Sequence, residues 1–246
     1  MHLFKKVFPL LLLPLIWNLL WLIIGNDSLW PEFFATLDRL LDLSRDEKFG
    51  SAYLGSINLI IGSFAISITC SLLLASLSMR SRALKNFIEY MSAGIGPVPT
   101  MAWLPVFLIL LGFNKFTIYA MCIWSVLWLA TPQIIGLIDV ARQGWSKQVF
   151  NLKFNTIKSL RHVYIPAVLP GFLAISKTYM MQIWRVIFAI EVIFGALGGH
   201  TGLGMLMFDY KGRFDHLETY ASLLAIMLTG LLINWVFSLL QRYTKW

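Results

Sequence analysis

Residues 147–171, KQVFNLKFNTIKSLRHVYIPAVLPG, form the one long polar and basic segment in a chain otherwise built of hydrophobic runs. The segment carries Lys147, Lys153, Lys158 and Arg161, and it ends in two prolines four apart, Pro166 and Pro170, where the next apolar run begins. A basic amphipathic piece held between two apolar runs suits two uses: lying on anionic lipid or docking a soluble partner. Val149, Phe150, Leu152 and Phe154 supply apolar positions for docking.

The runs on either side set the class. Of 246 residues, 58% are hydrophobic and 13% charged, against about 45–50% and 25% in soluble domains. Mean hydropathy is +0.73. Several runs reach the roughly 20 apolar residues that cross a bilayer. The expected fold is therefore an all-α integral membrane protein. The net charge of +8 reads as membrane topology rather than nucleic-acid binding, because no basic domain stands apart from the apolar runs. Cys70 and Cys122 fall inside apolar runs and read as small buried hydrophobes.

Six spans are expected. Val7–Gly25 is the first; it is longer than the hydrophobic part of a signal peptide and is followed by Asn26-Asp27-Ser28 rather than a small-residue cleavage site. The acidic connector Asn26–Ser51 places Leu37, Leu40, Leu41 and Leu43 at near-helical spacing, which predicts a short amphipathic helix at the membrane surface. Ala52–Met79 is the second span, and Asn86–Leu111 the third, interrupted by Gly94-Ile-Gly-Pro-Val-Pro99. A break at membrane depth is tolerated where it faces protein or a water-filled path. Pro97 and Pro99 are therefore pathway candidates, against the plainer reading of a kinked helix. Thr117–Ile138, Ile165–Phe194 and Leu217–Leu239 are the fourth to sixth spans. Asp139–Tyr164 is the basic segment on the cytoplasmic side, and Gly195–His216 a glycine-rich loop.

With both termini inside, the inner segments hold twelve of the 20 Lys and Arg residues and the outer segments six. That agrees with the positive-inside rule. Lys177 and Arg185 are the remaining two, inside the fifth span with Glu191. Charges within a span are expensive and face protein or water. Arg185 and Glu191, six apart, do not share a helix face. Glu191 either serves transport or ties its span to a neighbour, and Lys177 is expected to snorkel. The ten tryptophans and 18 phenylalanines read as interfacial anchors and lipid contacts.

No catalytic constellation is present: the four histidines are scattered, and neither H-E-x-x-H, G-x-S-x-G nor a P-loop occurs. Gly195–Gly204 follows an apolar helix rather than a strand, so it reads as a flexible or re-entrant loop lining a pathway, with Gly202 and Gly204 as candidates, and not as a phosphate cradle.

Three motifs converge on one family. Gly96-Pro-Val-Pro-Thr-Met-Ala-Trp-Leu-Pro105 precedes Leu111-Gly-Phe113; Glu191-Val-Ile-Phe-Gly-Ala196 precedes Thr201-Gly-Leu-Gly204; and Ile165-Pro-Ala-Val-Leu-Pro170 closes the basic segment. Together, over roughly Ala52 to Trp246, they resemble the permease subunits of bacterial ABC importers for nitrate, sulfonate, taurine and bicarbonate. One departure stands out. The family's coupling motif opens E-A-A and carries a glycine thirteen residues before its first proline. Here those positions read Lys147-Gln-Val149 and Lys153.

The resemblance implies a type I ABC importer permease with cytoplasmic N- and C-termini in the bacterial inner membrane. Residues 1–51 would hold the first span and a periplasmic connector. Residues 52–246 would hold a five-helix core with a coupling segment at about 144–164. It further implies a homodimer of permease copies in membrane lipid, a periplasmic binding protein delivering a small anionic solute, and a cytoplasmic ATP-binding subunit. ATP and magnesium would sit on that subunit, with no cofactor on this chain and no nucleic-acid partner. The coupling set would be Lys147, Val149, Phe150, Leu152, Lys153, Phe154, Lys158, Pro166 and Pro170. The pathway set would be Pro97, Pro99, Arg185, Glu191, Gly202 and Gly204. The alternative is a secondary transporter or an uncoupled membrane scaffold; the first would show inverted internal repeats, and none is visible.

Overall fold

A computed structural model describes residues 4–196 and 202–244, with the side chains of residues 4–11, 156 and 196 left aside. Helix α1 (Phe4–Ile24) is followed by α2 (Phe33–Leu43), the amphipathic helix expected from its leucine spacing. Its start is prepared by α1. The Phe33 N–H, which has no partner within a helix's first turn, donates to Asn18 Oδ1 at 3.0 Å, and Trp17 Nε1 donates to the Pro31 carbonyl at 2.9 Å.

Helix α3 (Glu47–Ser78) carries the second apolar run. Ser81 caps α4 (Arg82–Ile95), accepting the Leu84 N–H at 3.2 Å. The chain then breaks. Gly96 is still helical, but Pro97 and Pro99 remove two backbone donors, so the ladder of helical hydrogen bonds cannot continue. It resumes in a 3-10 turn (Thr100–Trp103) and helix α5 (Leu104–Leu111). The two limbs meet at 93°, so the third apolar run is a broken pair rather than a kinked helix. Asn114 then caps the helix that begins at Lys115, its Oδ1 accepting the Thr117 N–H at 3.1 Å.

Helix α6 (Lys115–Asn151) carries the fourth apolar run and continues for thirteen residues beyond Ile138, the expected end of the span. Its one internal proline, Pro132, lies upstream, and residues 139–151 contain none, so nothing local stops the helix. A turn leads to α7 (Thr156–Ser159), a π-helical turn (Leu160–Tyr164) and α8 (Ile165–Ala196). The π turn fits Pro166, which lacks an N–H and would clash with the carbonyl four residues back in a tight α turn.

The expected glycine-rich loop Gly195–His216 is also corrected. Residues 197–201 of it lie outside the described residues, but α9 (Leu203–Gly212) occupies most of the rest. Leu203, Met205, Leu206 and Met207 are good helix formers once Gly202 has opened the helix. Helix α10 (His216–Tyr243) ends the description.

No strand occurs among the described residues. Among them, α3, α6, α8 with its approach (Ile157–Gly195) and α10 are long and apolar enough to cross a membrane, and the broken pair makes a fifth candidate; the described apolar part of α1, Leu12–Ile24, is shorter. The chain divides into two compact units, Met1–Ser56 with Glu191–Thr229, and Ile57–Ile190 with Gly230–Trp246. In the first, Trp17, Trp30, Phe33 and Tyr220 cluster with ring centroids 4.9–6.0 Å apart, and Arg39 pairs with Glu218 at 2.7 Å. In the second, Phe64 meets Phe237 edge-on at 6.0 Å, and Lys85 on α4 pairs with Asp139 on α6 at 2.6 Å.

Candidate functional site

The basic segment folds into a helix, a tight turn and a helix. Lys153 sits at the turn with φ +49°, in the left-handed region. Around it the Lys153 N–H donates to the Phe150 carbonyl at 3.1 Å, and the Phe154 N–H reaches back to the Val149 carbonyl at 3.4 Å. This is the Schellman arrangement that ends helices, normally with glycine at the left-handed position. The turn geometry survives without glycine, at a cost of roughly 1–2 kcal/mol for a residue with a Cβ. Asn155 then starts α7, its Oδ1 accepting the Lys158 N–H at 2.8 Å.

The apolar residues of this segment divide into two groups. Val149 and Phe154 are half-buried and line one cavity of about 970 Å³, together with Arg80, Arg142 and Tyr164. A hydrophobic pairing at these two positions is the usual companion of a Schellman turn. Phe150 (82% exposed) and Leu152 (57%) face outward, as does Ile157 (76%), which the sequence reading passed over. Lys147, Lys153 and Lys158 are exposed around them. Pro166 lies in the first turn of α8, and Pro170 one turn further on.

Glu191 lies in a different setting. It is 5% exposed, near the end of α8. The Ser56 hydroxyl lies 2.7 and 2.8 Å from its two carboxylate oxygens, and the Gly204 N–H donates to Oε2 at 3.0 Å. Ser56 Oγ in turn accepts the Leu203 N–H at 2.9 Å. Leu203 and Gly204 are the first two residues of α9, so two donors left open at its N-terminus are satisfied by side chains of α3 and α8. The partial positive charge at that end favours a carboxylate. Gly202 fits because it has no side chain: a Cβ there would overlap the Glu191 carboxylate. Gly195 similarly lets α8 approach α9, where a Cβ would meet Met205 Cα at 3.1 Å.

The structure thus brings Glu191, Gly202 and Gly204 together and adds Ser56. That serine belongs to a series on α3 (Ser56, Ser63, Ser67, Ser71) whose spacing of seven, four and four marks a single helix face. Arg185 stands apart: it is exposed while Trp184 and Val186 on either side are buried, and its Nε donates to the Met181 carbonyl at 3.1 Å. Lys177 Nζ donates to Ser238 on α10 at 3.1 Å. Pro97 and Pro99 line a cavity of about 200 Å³ at the break. Among the described residues no group of three or more His, Cys, Asp or Glu could hold a metal ion.

Residues 67–245 match the family described as binding-protein-dependent transport system inner membrane component. The chain belongs to this family. It is an all-helical, multi-pass permease component of the ABC importer type, a class that works with a separate ATP-binding subunit and a partner permease. Two solved structures share the permease's fold. One is described as inward facing conformations of the MetNI methionine ABC transporter, CY5 native crystal form, with TM-score 0.54, 13% identity, and coverage of 78% of this chain and 91% of that one. The other is its CY5 SeMet soak crystal form, with TM-score 0.53, 16% identity, and coverage of 78% and 93%. No curated protein matches the permease sequence.

Proposed function

We propose that this permease forms the translocation pathway of an importer in the nitrate, sulfonate, taurine and bicarbonate branch, and that Lys147–Tyr164 is the element through which an ATP-binding subunit drives it. The observation that carries this reading is the Lys153 turn. It presents Phe150, Leu152 and Ile157 outward within a ring of lysines and spends Val149 and Phe154 on its own closure. Large apolar side chains held outward on a rigid turn, at the ends of the two long helices it joins, suit a groove in a soluble partner.

In this reading α1 completes six spans, both termini are cytoplasmic, and two copies pair around the pathway in the inner membrane. A periplasmic binding protein delivers a small anionic solute from outside. ATP binding closes the partner subunits, which favours one of two permease conformers through its differential affinity for them. The test is a gentle-detergent pull-down of the tagged permease from native membranes, with partners identified by mass spectrometry. A stoichiometric P-loop ATPase is expected. Its absence, after crosslinking as well, overturns the coupled reading in favour of a secondary transporter or scaffold.

A further inference from the structure

We propose that the cavity behind the Lys153 turn is a site for an anionic phospholipid of the inner leaflet, its phosphate held by Arg80 and Arg142. Only the choice of leaflet and the link to coupling rest on the permease reading above; the binding itself does not. The cavity, of about 970 Å³, lies between α3, α6 and the start of α8. Along α3 and its end it is lined by Leu72, Ser76, Met79 and Arg80, and along α6 by Ile134, Ile138, Ala141 and Arg142. The two sets share one spacing of four, three and one. Each is therefore a single helix face, apolar for most of its length and closed by an arginine. In the topology proposed above, α3 and α6 both run toward the cytoplasm, which brings the two guanidiniums to the same end of the cavity. Eight residues of helix rise about 12 Å, so Leu72 and Ile134 lie roughly that far below them in the hydrocarbon. The start of α8 completes the wall, with Tyr164 toward the arginine end and Phe172 deeper.

The ligand class follows from what the wall offers. Arg80 and Arg142 are exposed, and among the described residues neither guanidinium has an ion-pair or hydrogen-bond partner. The wall hydroxyls of Ser76 and Ser159 are engaged with the Leu72 and Asn155 carbonyls at 2.7 and 2.9 Å. A guanidinium fork matches two phosphate oxygens, and basic pockets between membrane helices at the cytoplasmic side suit anionic headgroups. No Asp or Glu lines the wall. A zwitterionic headgroup would therefore set its own cation beside two like charges with nothing to offset it. A free phosphate would leave the apolar stripes of α3 and α6 uncovered, whereas an acyl chain covers them. Val149 and Phe154, which close the Lys153 turn, line the same cavity. The lipid thus backs the inner side of the turn whose outer side carries Phe150 and Leu152.

The experiment uses the full permease with benzoylphenylalanine in place of Leu169, on the cavity wall. It is irradiated in nanodiscs of equal phosphatidylglycerol and phosphatidylcholine and weighed intact. One phosphatidylglycerol adduct is expected, in excess over phosphatidylcholine. In native mass spectrometry, Arg80→Gln with Arg142→Gln should weaken phosphatidylglycerol retention about thirtyfold, from roughly fivefold per basic residue. Arg82→Gln with Arg161→Gln, equally exposed but off the wall, should leave retention unchanged. Ser76→Phe, which fills the apolar part, should lower retention with both arginines in place.

An adduct to a second permease copy or to another protein, equal labelling by the two lipids, or equal loss in the Arg82 and Arg161 pair would each overturn the site. Displacement of the lipid by sodium phosphate or glycerophosphate, beyond that caused by sodium chloride of equal ionic strength, would mark a soluble anion and overturn it too. ATPase capture is scored on the same preparation. Lipid retention without capture keeps the site and removes the coupled reading. Capture with neither adduct nor retention removes the site alone.

Discussion

The turn at Lys153 and the knot at Glu191 are both made of polar residues beside long apolar helices, yet they are finished differently. Around Glu191 the described polar atoms close on one another: carboxylate, serine hydroxyl and two helix N–H groups form one buried set. Around Lys153 the backbone is equally well closed, but Phe150, Leu152 and Ile157 are left in the open. A buried charge must be paired where it sits, so the first region is complete as it stands. Exposed apolar area on a rigid turn is favourable only when something covers it. The contrast separates a region whose polar groups are closed within the fold from one that leaves apolar side chains exposed.

The strongest way to break this contrast is charge reversal at the turn. Lys153→Glu with Lys158→Glu should abolish co-purification of the ATP-binding subunit while membrane insertion is unchanged, because both side chains are exposed and hold nothing in the fold. If the ATPase stays bound at wild-type levels, the turn is not the docking element.

Next in size is Gly202→Ala. The new methyl must displace the Glu191 carboxylate, and overpacking of this kind costs about 1–3 kcal/mol. Thermal unfolding in detergent should shift accordingly, with ATPase capture retained; an unshifted midpoint would mean that the knot yields without loss. Glu191→Gln keeps one acceptor oxygen but loses charge-assisted bonds, and should cost about 1.5–3 kcal/mol. The sharper reading comes from setting its uptake against its stability. Lost uptake at near-wild-type stability would move Glu191 from the fold to the transport step. Parallel losses would keep it structural.

Ser56→Ala leaves the Leu203 N–H buried and unpaired, at a cost of about 1–3 kcal/mol. Local hydrogen exchange at the start of α9 should rise, while the Lys153 turn stays protected as before. The smallest effect is a gain. Lys153→Gly removes left-handed strain and should stabilise the turn, net of the greater freedom of the unfolded chain, by at most about 1 kcal/mol. ATPase capture by that variant should be preserved; its loss would show that the lysine side chain, rather than the turn, is what the partner reads.

Much of this was legible in the chain. Apolar runs about 20 residues long can only be membrane helices or a large buried core, so α3, α6, α8 and α10 were readable to within a few residues at most ends. The resemblance to the importer coupling motif implied a turn at Lys153, and the structure shows a left-handed residue at that position. Local pattern was less informative where it is ambiguous. Helix α6 runs on past the expected end of its span because a change in polarity does not stop a helix, and it ends instead at the left-handed Lys153. Helix α9 was hidden because glycines at its start look like a loop until their neighbours are known.

The sequence by itself determined the class of protein and the order of its long apolar helices, and it marked the third run as interrupted. All of these depend on composition, proline and periodicity within one stretch of chain. The tertiary structure alone decided that Glu191 meets Ser56 and the N-terminus of α9, that Phe150 faces out while Phe154 closes the turn, and that Arg80 and Arg142 line one cavity. Ser56 and Glu191 are 135 residues apart, and no local propensity encodes a pairing over that distance. Such a contact is set by how helices pack, where the need to satisfy each buried polar group selects among arrangements that hydrophobicity leaves equivalent.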